Sequence, residues 1–180
     1  QREHTATTSP TPACRSVVSI GRPAVPCGSP ASLMPMCAVL PGGPGNYSHA
    51  AGGGDDSRAG ADGNDSLDGG DGDDFLRGDL GDDKLHGGAG FDRVTYAIGA
   101  VGGVTVDLNL QGMAQDTGSA GFDALLEIEH LTGTRFDDVL TGDAGDNWLW
   151  GGSDGSGVTG NDVISAGAGD DLVEVGTGNH

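Results

Sequence analysis

An aspartate recurs every nine residues in the middle of the chain, at Asp56, Asp65, Asp74, Asp83 and Asp92. A glycine lies two residues before each of these aspartates. Ca²⁺ prefers about six to eight oxygen ligands, and both carboxylates and the backbone carbonyls of glycine turns supply them. The residue types and their constant spacing therefore indicate a series of cation sites.

The segment that carries these aspartates consists of five nine-residue repeats beginning at Ala51. They read AGGGDDSRA, GADGNDSLD, GGDGDDFLR, GDLGDDKLH and GGAGFDRVT. Position four is always glycine and position six is always aspartate. Position eight is Arg58 in the first repeat and apolar in the next four, at Leu67, Leu76, Leu85 and Val94. A fixed short period of this kind is typical of a solenoid.

Each repeat predicts one turn and one short strand. Glycine tolerates positive φ, so the glycine-rich half predicts a tight turn, and the last three residues predict a strand whose position-eight side chain points inward. Two repeats then complete one coil. This arrangement stacks Leu67 over Leu85 and Leu76 over Val94. The predicted fold class is all-β, a right-handed parallel β-roll.

The same geometry brings together aspartates one coil apart. The expected pairs are Asp56 with Asp74, Asp74 with Asp92, and Asp65 with Asp83. One inward apolar side chain per repeat contributes about 1.5–3 kcal/mol, whereas ordering costs about 1–2 kcal/mol for every residue. Because this core is too thin to hold the fold, we expect bound cations that bridge neighbouring turns. The position-five acids Asp55, Asp73 and Asp82 are expected to form turns.

The repeat resembles the haemolysin-type calcium-binding repeat, or RTX, family, whose pattern is GGxGxDxUx. The resemblance implies that Ca²⁺ is bound by the position-six aspartates and by carbonyls of the glycine turns. The turn glycines implied are Gly52, Gly54, Gly63, Gly70, Gly72, Gly81, Gly88 and Gly90. It also implies a bacterial protein exported by type I secretion, which is unfolded inside the cell and folds in calcium outside.

The repeat pattern stops after this first block, residues 49–95. Residues 96–132 predict a spacer that continues the solenoid without calcium turns. One strand is expected through the alternating Val104, Val106, Leu108 and Leu110, and a second inward set is expected at Leu126, Ile128 and Leu131.

A second, degenerate block occupies residues 133–180 and ends within a repeat. Phe136 replaces a turn glycine, Asn147 replaces an aspartate, and the repeat at 151–165 contains a six-residue insertion. Asp138, Asp162 and Asp171 remain candidate calcium ligands. Trp148 and Trp150 flank the inward Leu149, so they are expected either to cover a rim or to contact a partner.

The charge restricts the choice of partners. The chain has 27 acidic and 8 basic side chains and a formal net charge of −19, which argues against binding to nucleic acid or to an anionic membrane surface. Residues 1–48 contain all eight prolines and all three cysteines. We expect this segment to be disordered, and a shifted-frame translation of repeat DNA is one possible origin. No membrane span or signal peptide is evident.

No group of residues predicts catalysis. Residues 151–155 match a GxSxG pattern, but the motif lies in a glycine-rich insertion and not between a strand and a helix. We therefore expect that the chain is not an enzyme. It is expected to be a calcium-binding folding and secretion module of an exported protein whose passenger domain is missing from this chain. The alternative is a calcium-stiffened repeat of a large adhesin or surface-layer protein.

Overall fold

The structure, a computed structural model, describes residues 40–41, 44–153 and 160–176. Within these ranges the chain forms short β-strands and one 3-10 helix, Leu108–Leu110, but no α-helix. Most strands are three residues long, because the glycine turns between them recur at the nine-residue period. The fold is the predicted all-β parallel β-roll.

The strands described in these residues form three sheets. The long sheet contains, in spatial order, β1 (Leu40–Pro41), β3 (Ser57–Ala59), β5 (Phe75–Arg77), β7 (Arg93–Thr95), β11 (His130–Thr132), β13 (Trp148–Trp150) and β15 (Leu172–Glu174). The N-terminal sheet contains β2 (Ser48–Ala50), β4 (Ser66–Asp71), β6 (Lys84–Ala89), β10 (Phe122–Leu126) and β9 (Ala114–Asp116). The C-terminal sheet contains β14 (Val163–Ser165), β12 (Val139–Thr141) and β8 (Thr105–Asp107).

The core is the stack of inward side chains between the facing sheets. As predicted, Leu67 lies in register with Leu85, and Leu76 with Val94. The stack then continues beyond the first block, because Leu125 follows Leu85 in the N-terminal sheet. In the long sheet Leu131 and Leu149 follow Val94. All of these side chains are almost fully buried.

The spacer continues the solenoid but divides one of its faces. Strand β11 pairs in parallel with both β7 and β13, so the long sheet runs through both blocks. On the opposite face β9 pairs antiparallel with β10 and forms an edge of the N-terminal sheet. Strand β8 pairs with β12 instead and belongs to the C-terminal sheet.

Two details of the predicted spacer were wrong. The predicted strand through Leu110 ends at Asp107, whose side chain accepts the backbone N–H of Asn109 and starts the 3-10 helix. Leu110 is consequently exposed, whereas Val104, Val106 and Leu108 are buried. The second error is one of strand phase: Leu125 is the inward residue and Leu126 is exposed.

The described roll begins before residue 49. β1 pairs with β3, β2 pairs with β4, and Gly45 has the positive φ of a repeat turn. The disorder expected for residues 1–48 otherwise concerns residues 1–39 and 42–43, which lie outside the described residues. The predicted insertion likewise falls on residues 154–159, outside that description.

Three side chains depart from the regular pattern of the repeats. Arg58 occupies the inward position in register with Leu76, and it is buried. Trp148 and Trp150 point outward on either side of the buried Leu149, as predicted. The ring of Trp148 stacks on His130 of the neighbouring strand with 4.5 Å between centroids. This contact favours the covered-rim interpretation for Trp148.

Candidate metal centre

The position-six aspartates connect each coil to the next. The backbone N–H of Asp56 donates to Oδ1 of Asp74 at 2.6 Å, and that of Asp74 donates to Oδ1 of Asp92 at 2.7 Å. On the other face the N–H of Asp65 donates to Oδ1 of Asp83 at 2.8 Å. The three predicted pairs are therefore all present. Each carboxylate lies at the turn before a short strand, which fixes it on the inside of the roll.

The second carboxylate oxygen, Oδ2, has a different environment from Oδ1. Oδ2 is buried and has no hydrogen-bond partner in Asp65, Asp74, Asp83 and Asp92. A buried charged oxygen without a partner carries a desolvation penalty of several kcal/mol in order of magnitude. These four oxygens therefore require a positively charged neighbour or a proton.

The glycine at position one makes room for this oxygen. A Cβ on Gly69 would collide with Oδ2 of Asp74 and would lie 2.6 Å from the carbonyl oxygen of Gly87, one coil later. A carboxylate oxygen and a turn carbonyl thus face the same small space. Gly60 and Gly78 make the same approach to Asp65 and Asp83. These position-one glycines were not among the predicted site residues.

The predicted turn glycines stack on one another from coil to coil. Positive φ occurs at Gly54, Gly63, Gly70, Gly72, Gly81, Gly88 and Gly90. At Gly81, with φ of 141°, an added Cβ would strike the carbonyl of Gly63. Gly52 contributes its carbonyl oxygen, which accepts the N–H of Asp71 at 3.1 Å. Side chains are excluded because successive backbones are in contact.

Burial changes the acidity of the position-six carboxyls. Desolvation raises the pKa of Asp74 to about 6 and that of Asp83 to about 7, with smaller contributions from the neighbouring carboxylates. The pKa values of Asp65 and Asp92 are raised for the same principal reason. Without a cation the roll thus disfavours the ionised form of these groups.

The position-five acids serve the turns, as predicted. Asp55 and Asp73 are exposed and accept backbone N–H groups one coil later, from Asp73 at 3.1 Å and from Phe91 at 2.9 Å. Asp82 is also exposed and accepts the N–H of Phe122 at 3.0 Å. Their oxygens point away from the buried row of position-six carboxylates.

The available ligands suit a hard cation. In the described ranges, no three His, Cys, Asp or Glu side chains converge on one point, so a site here must take most of its ligands from backbone carbonyls. Buried carboxylate oxygens without a partner, beside turn carbonyls and in a space that a Cβ would fill, provide the oxygen-only surroundings that Ca²⁺ prefers. The residues present therefore fit calcium.

Comparison with known families decides the identity of these repeats. The family model described as RTX calcium-binding nonapeptide repeat (4 copies) matches residues 59–94, 127–155 and 156–179. These matched segments are RTX calcium-binding repeats. RTX nonapeptide repeats bind Ca²⁺ and are structural elements, typically found in secreted proteins. The chain has no match among curated proteins. No helix in the described residues is long and apolar enough to cross a membrane.

In the second RTX block, both oxygens of the first position-six carboxylate, Asp138, accept hydrogen bonds from the protein. Oδ2 of Asp138 accepts the N–H of Thr134 at 2.7 Å, and Oδ1 accepts the Thr134 hydroxyl at 2.9 Å and the N–H of Val104 at 2.7 Å. Asp162 and Asp171 bridge coils as in the first block, because their Oδ1 atoms accept the N–H groups of Asp138 and Asn147. Asp171 is only partly buried.

Two carboxylates of the spacer occupy position six and were missed. Asp123 accepts the N–H of Asp83 at 3.0 Å, and Glu129 accepts that of Asp92 at 2.9 Å. The signal for Asp123 was present: residues 118–126 read GSAGFDALL, which repeats the AGFD of the fifth RTX repeat. Glu129 had a weaker signal, since it lies nine residues before Asp138, but its distance of 37 residues from Asp92 is not a multiple of nine, so only the pairing of β11 with β7 places it in the row of the first block.

Asp123 differs from the RTX aspartates of the first block. Its Oδ2 accepts the hydroxyl of Tyr96 at 3.0 Å and lies 3.0 Å from the hydroxyl of Thr117. All three side chains are buried. Protein hydroxyls therefore contact the oxygen whose counterparts in Asp65 and Asp83 have no hydrogen-bond partner.

Proposed function

We propose that this chain is a module whose folding is coupled to calcium binding and which assists the export and folding of a bacterial extracellular protein. The observation that carries the proposal is the row of buried, unpartnered Oδ2 atoms in Asp65, Asp74, Asp83 and Asp92. Burying these oxygens costs free energy unless a cation is bound. We therefore expect the fold to be more stable with calcium than without it. Calcium, when bound, supplies positive charge to these oxygens and completes its ligand shell with turn carbonyls.

The proposed ligands are the predicted ones. The position-six carboxylates of Asp56, Asp65, Asp74, Asp83 and Asp92 are proposed to bind with carbonyls of the glycine turns. Asp162 and Asp171 are proposed as further ligands in the second block. Asp138 is the weakest candidate, because hydrogen bonds within the protein already satisfy both of its oxygens.

We propose that the two blocks, 49–95 and 133–180, act as one structural unit through the spacer 96–132. The continuous pairing of β7, β11 and β13 supports this proposal, because one sheet runs from the first block through the spacer into the second block. The same long sheet is what a rod-like repeat of an adhesin or surface-layer protein would use, so that alternative is retained as the second candidate.

Secretion is the part of the proposal that depends on the family alone. RTX repeats are typically found in secreted proteins, and the coupling of folding to calcium would keep such a chain unfolded in a calcium-poor compartment. A passenger domain in the parent protein would carry the biological activity. Neither the repeats nor the spacer is assigned a catalytic role.

Limited proteolysis of the full chain tests the proposal. With calcium we expect residues 51–94 to resist cleavage, and with a chelator we expect rapid cleavage there. Magnesium is the control, because it requires a smaller, octahedral site and retains its water. Equal cleavage in calcium and chelator would contradict calcium-coupled folding.

A further inference from the structure

The row of position-six groups in the long sheet does not stop at the last aspartate of the first block. Asp56, Asp74 and Asp92 are joined by backbone N–H groups that donate to the carboxylate of the next coil. The N–H of Asp92 donates in the same way to Oε2 of Glu129 at 2.9 Å. Glu129 thus takes the place of the next aspartate, although it lies 37 residues after Asp92.

Glu127 takes the place of a turn glycine in the same coil. It has a φ of 53°, in the left-handed region that glycine usually occupies. A Cβ placed on Gly87 would clash with both the carbonyl oxygen of Glu127 and Oδ2 of Asp92. One coil earlier, the carbonyl of Gly87 and Oδ2 of Asp74 make the same approach to Gly69.

Asp92 is the observation that points to a ligand at this junction. Its side chain is 0% exposed, and its Oδ2 has no hydrogen-bond partner. The corresponding oxygen of Asp123, in the facing sheet of the same part of the roll, accepts the hydroxyl of Tyr96. On one face of the roll, a protein hydroxyl therefore donates a hydrogen bond to the Oδ2 atom. On the other face, the Oδ2 atom of Asp92 has no protein donor and can bind a cation.

We propose a calcium site at the junction of the first block and the spacer, formed by the carboxylates of Asp92 and Glu129 and the backbone carbonyl of Glu127. This inference rests on the proposed function, since it extends the calcium row by one site. It attaches the spacer to the first block through a cation, in a coil that follows the five regular repeats and uses glutamate in place of aspartate. Two carboxylates and a carbonyl provide the oxygen ligands that Ca²⁺ requires, with water able to complete the shell.

Calcium stoichiometry of the full chain, measured by equilibrium dialysis, tests this site. Glu129→Gln keeps an oxygen that can accept the N–H of Asp92 but removes the charge. We expect this variant to bind about one calcium ion fewer per chain than the wild type. Glu129→Asp restores the residue used in the repeats and is expected to keep the wild-type number of ions. Glu174→Gln, an exposed substitution of the same kind in β15, is the matched control and is expected to change nothing.

Each result has a defined meaning. An unchanged number of ions and unchanged affinity in Glu129→Gln would overturn the junction site alone, provided that the wild type binds calcium. A wild-type chain that binds no calcium would overturn the proposed function as well. If Glu129→Gln does not fold in saturating calcium, Glu129→Asp decides the question: the wild-type number of ions supports the site, and the loss of an ion overturns it.

Discussion

The backbone N–H of Asp74 donates to Oδ1 of Asp92 at 2.7 Å, while Oδ2 of Asp92 is buried without a partner. One carboxylate therefore has two roles in the roll. Its first oxygen fixes the spacing between coils, and its second oxygen makes that spacing unfavourable unless a cation or a proton is present. The dependence of the fold on calcium follows from this division.

Substitution of Asp74 tests the role of the second oxygen. Asp74→Asn keeps an acceptor for the N–H of Asp56 but removes the charge next to the turn carbonyls. We expect the calcium concentration at the folding midpoint to rise about tenfold or more. A smaller rise is expected for Asp56→Asn, at the end of the row, where Arg58 already lies 3.8 Å away. The measurement is calcium-dependent circular dichroism.

Asp73→Asn is the matched control for this prediction. Asp73 is the immediate neighbour of Asp74, but it is exposed and belongs to the position-five ladder. Its substitution removes the same charge without affecting the buried row. Equal shifts of the midpoint in Asp73→Asn and Asp74→Asn would mean that net charge, and not the buried site, determines calcium affinity.

The stacking of glycine turns predicts a strong effect at Gly81. Gly81→Ala places a Cβ against the carbonyl of Gly63 at a φ of 141°. We expect a loss of about 2 kcal/mol or more in the free energy of unfolding in calcium. Gly102→Ala is the control, since its Cβ would lie 3.5 Å from Cβ of Ser119, an ordinary contact. Urea denaturation of both variants gives the comparison, and equal stabilities would contradict it.

The hydrogen bond from Tyr96 to Asp123 predicts that a substitution of Tyr96 lowers stability without changing calcium binding. Tyr96→Phe leaves Oδ2 of the buried Asp123 without its 3.0 Å hydrogen bond. We expect a loss of about 1–3 kcal/mol in stability with no change in the number of bound calcium ions. Tyr47→Phe, in a partly exposed part of the roll, serves as the control. An additional calcium ion bound by Tyr96→Phe would instead show that the hydroxyl excludes a cation.

The raised pKa values predict opposite effects of pH with and without calcium. The folded-state pKa of Asp74 is about 6 and that of Asp83 about 7, compared with an ordinary value of 3.8. Because the folded state binds these protons more tightly, stability in chelator is fully present below about pH 4 and is lost as the pH rises through about 6 to 7.

Calcium reverses this trend, because protons compete with the cation for the same oxygens. We expect calcium affinity to fall as the pH is lowered below about 7. Denaturation in chelator and calcium titration, each at about pH 5 and about pH 8, provide the two measurements. Greater stability in chelator at the higher pH would contradict the first part of the prediction.

The sequence predicted the regular part of the roll because its period is local. Nine residues define one turn and one strand, so the register of Leu67 with Leu85 and the pairing of Asp65 with Asp83 follow from counting. The deviations depend on contacts between distant residues. Counting back nine residues from Asp138 reaches Glu129, but Glu129 lies 37 residues after Asp92, so its place in the row of the first block depends on the pairing of β11 with β7.

Other features of the spacer had local signals that were weaker than the competing pattern. The alternation up to Leu110 favoured a strand, but the side chain of Asp107 caps a 3-10 helix at that point. The Gly121–Phe122–Asp123 sequence repeats the turn of the first block, and reading it as a repeat would have placed Leu125 inside. The division of one face into two sheets has no such signal.

The most direct test of the account is a calcium titration of the full chain followed by far-UV circular dichroism, with magnesium in parallel. At about pH 8, where the raised pKa values leave the position-six carboxylates ionised, coupled binding and folding predicts a coil spectrum in chelator and a cooperative gain of β signal with calcium alone. A β spectrum already complete in chelator at this pH would contradict the account, because the thin apolar core would then hold the roll with neither the cation nor a proton. A spectrum that remains coil at millimolar calcium would contradict it as well.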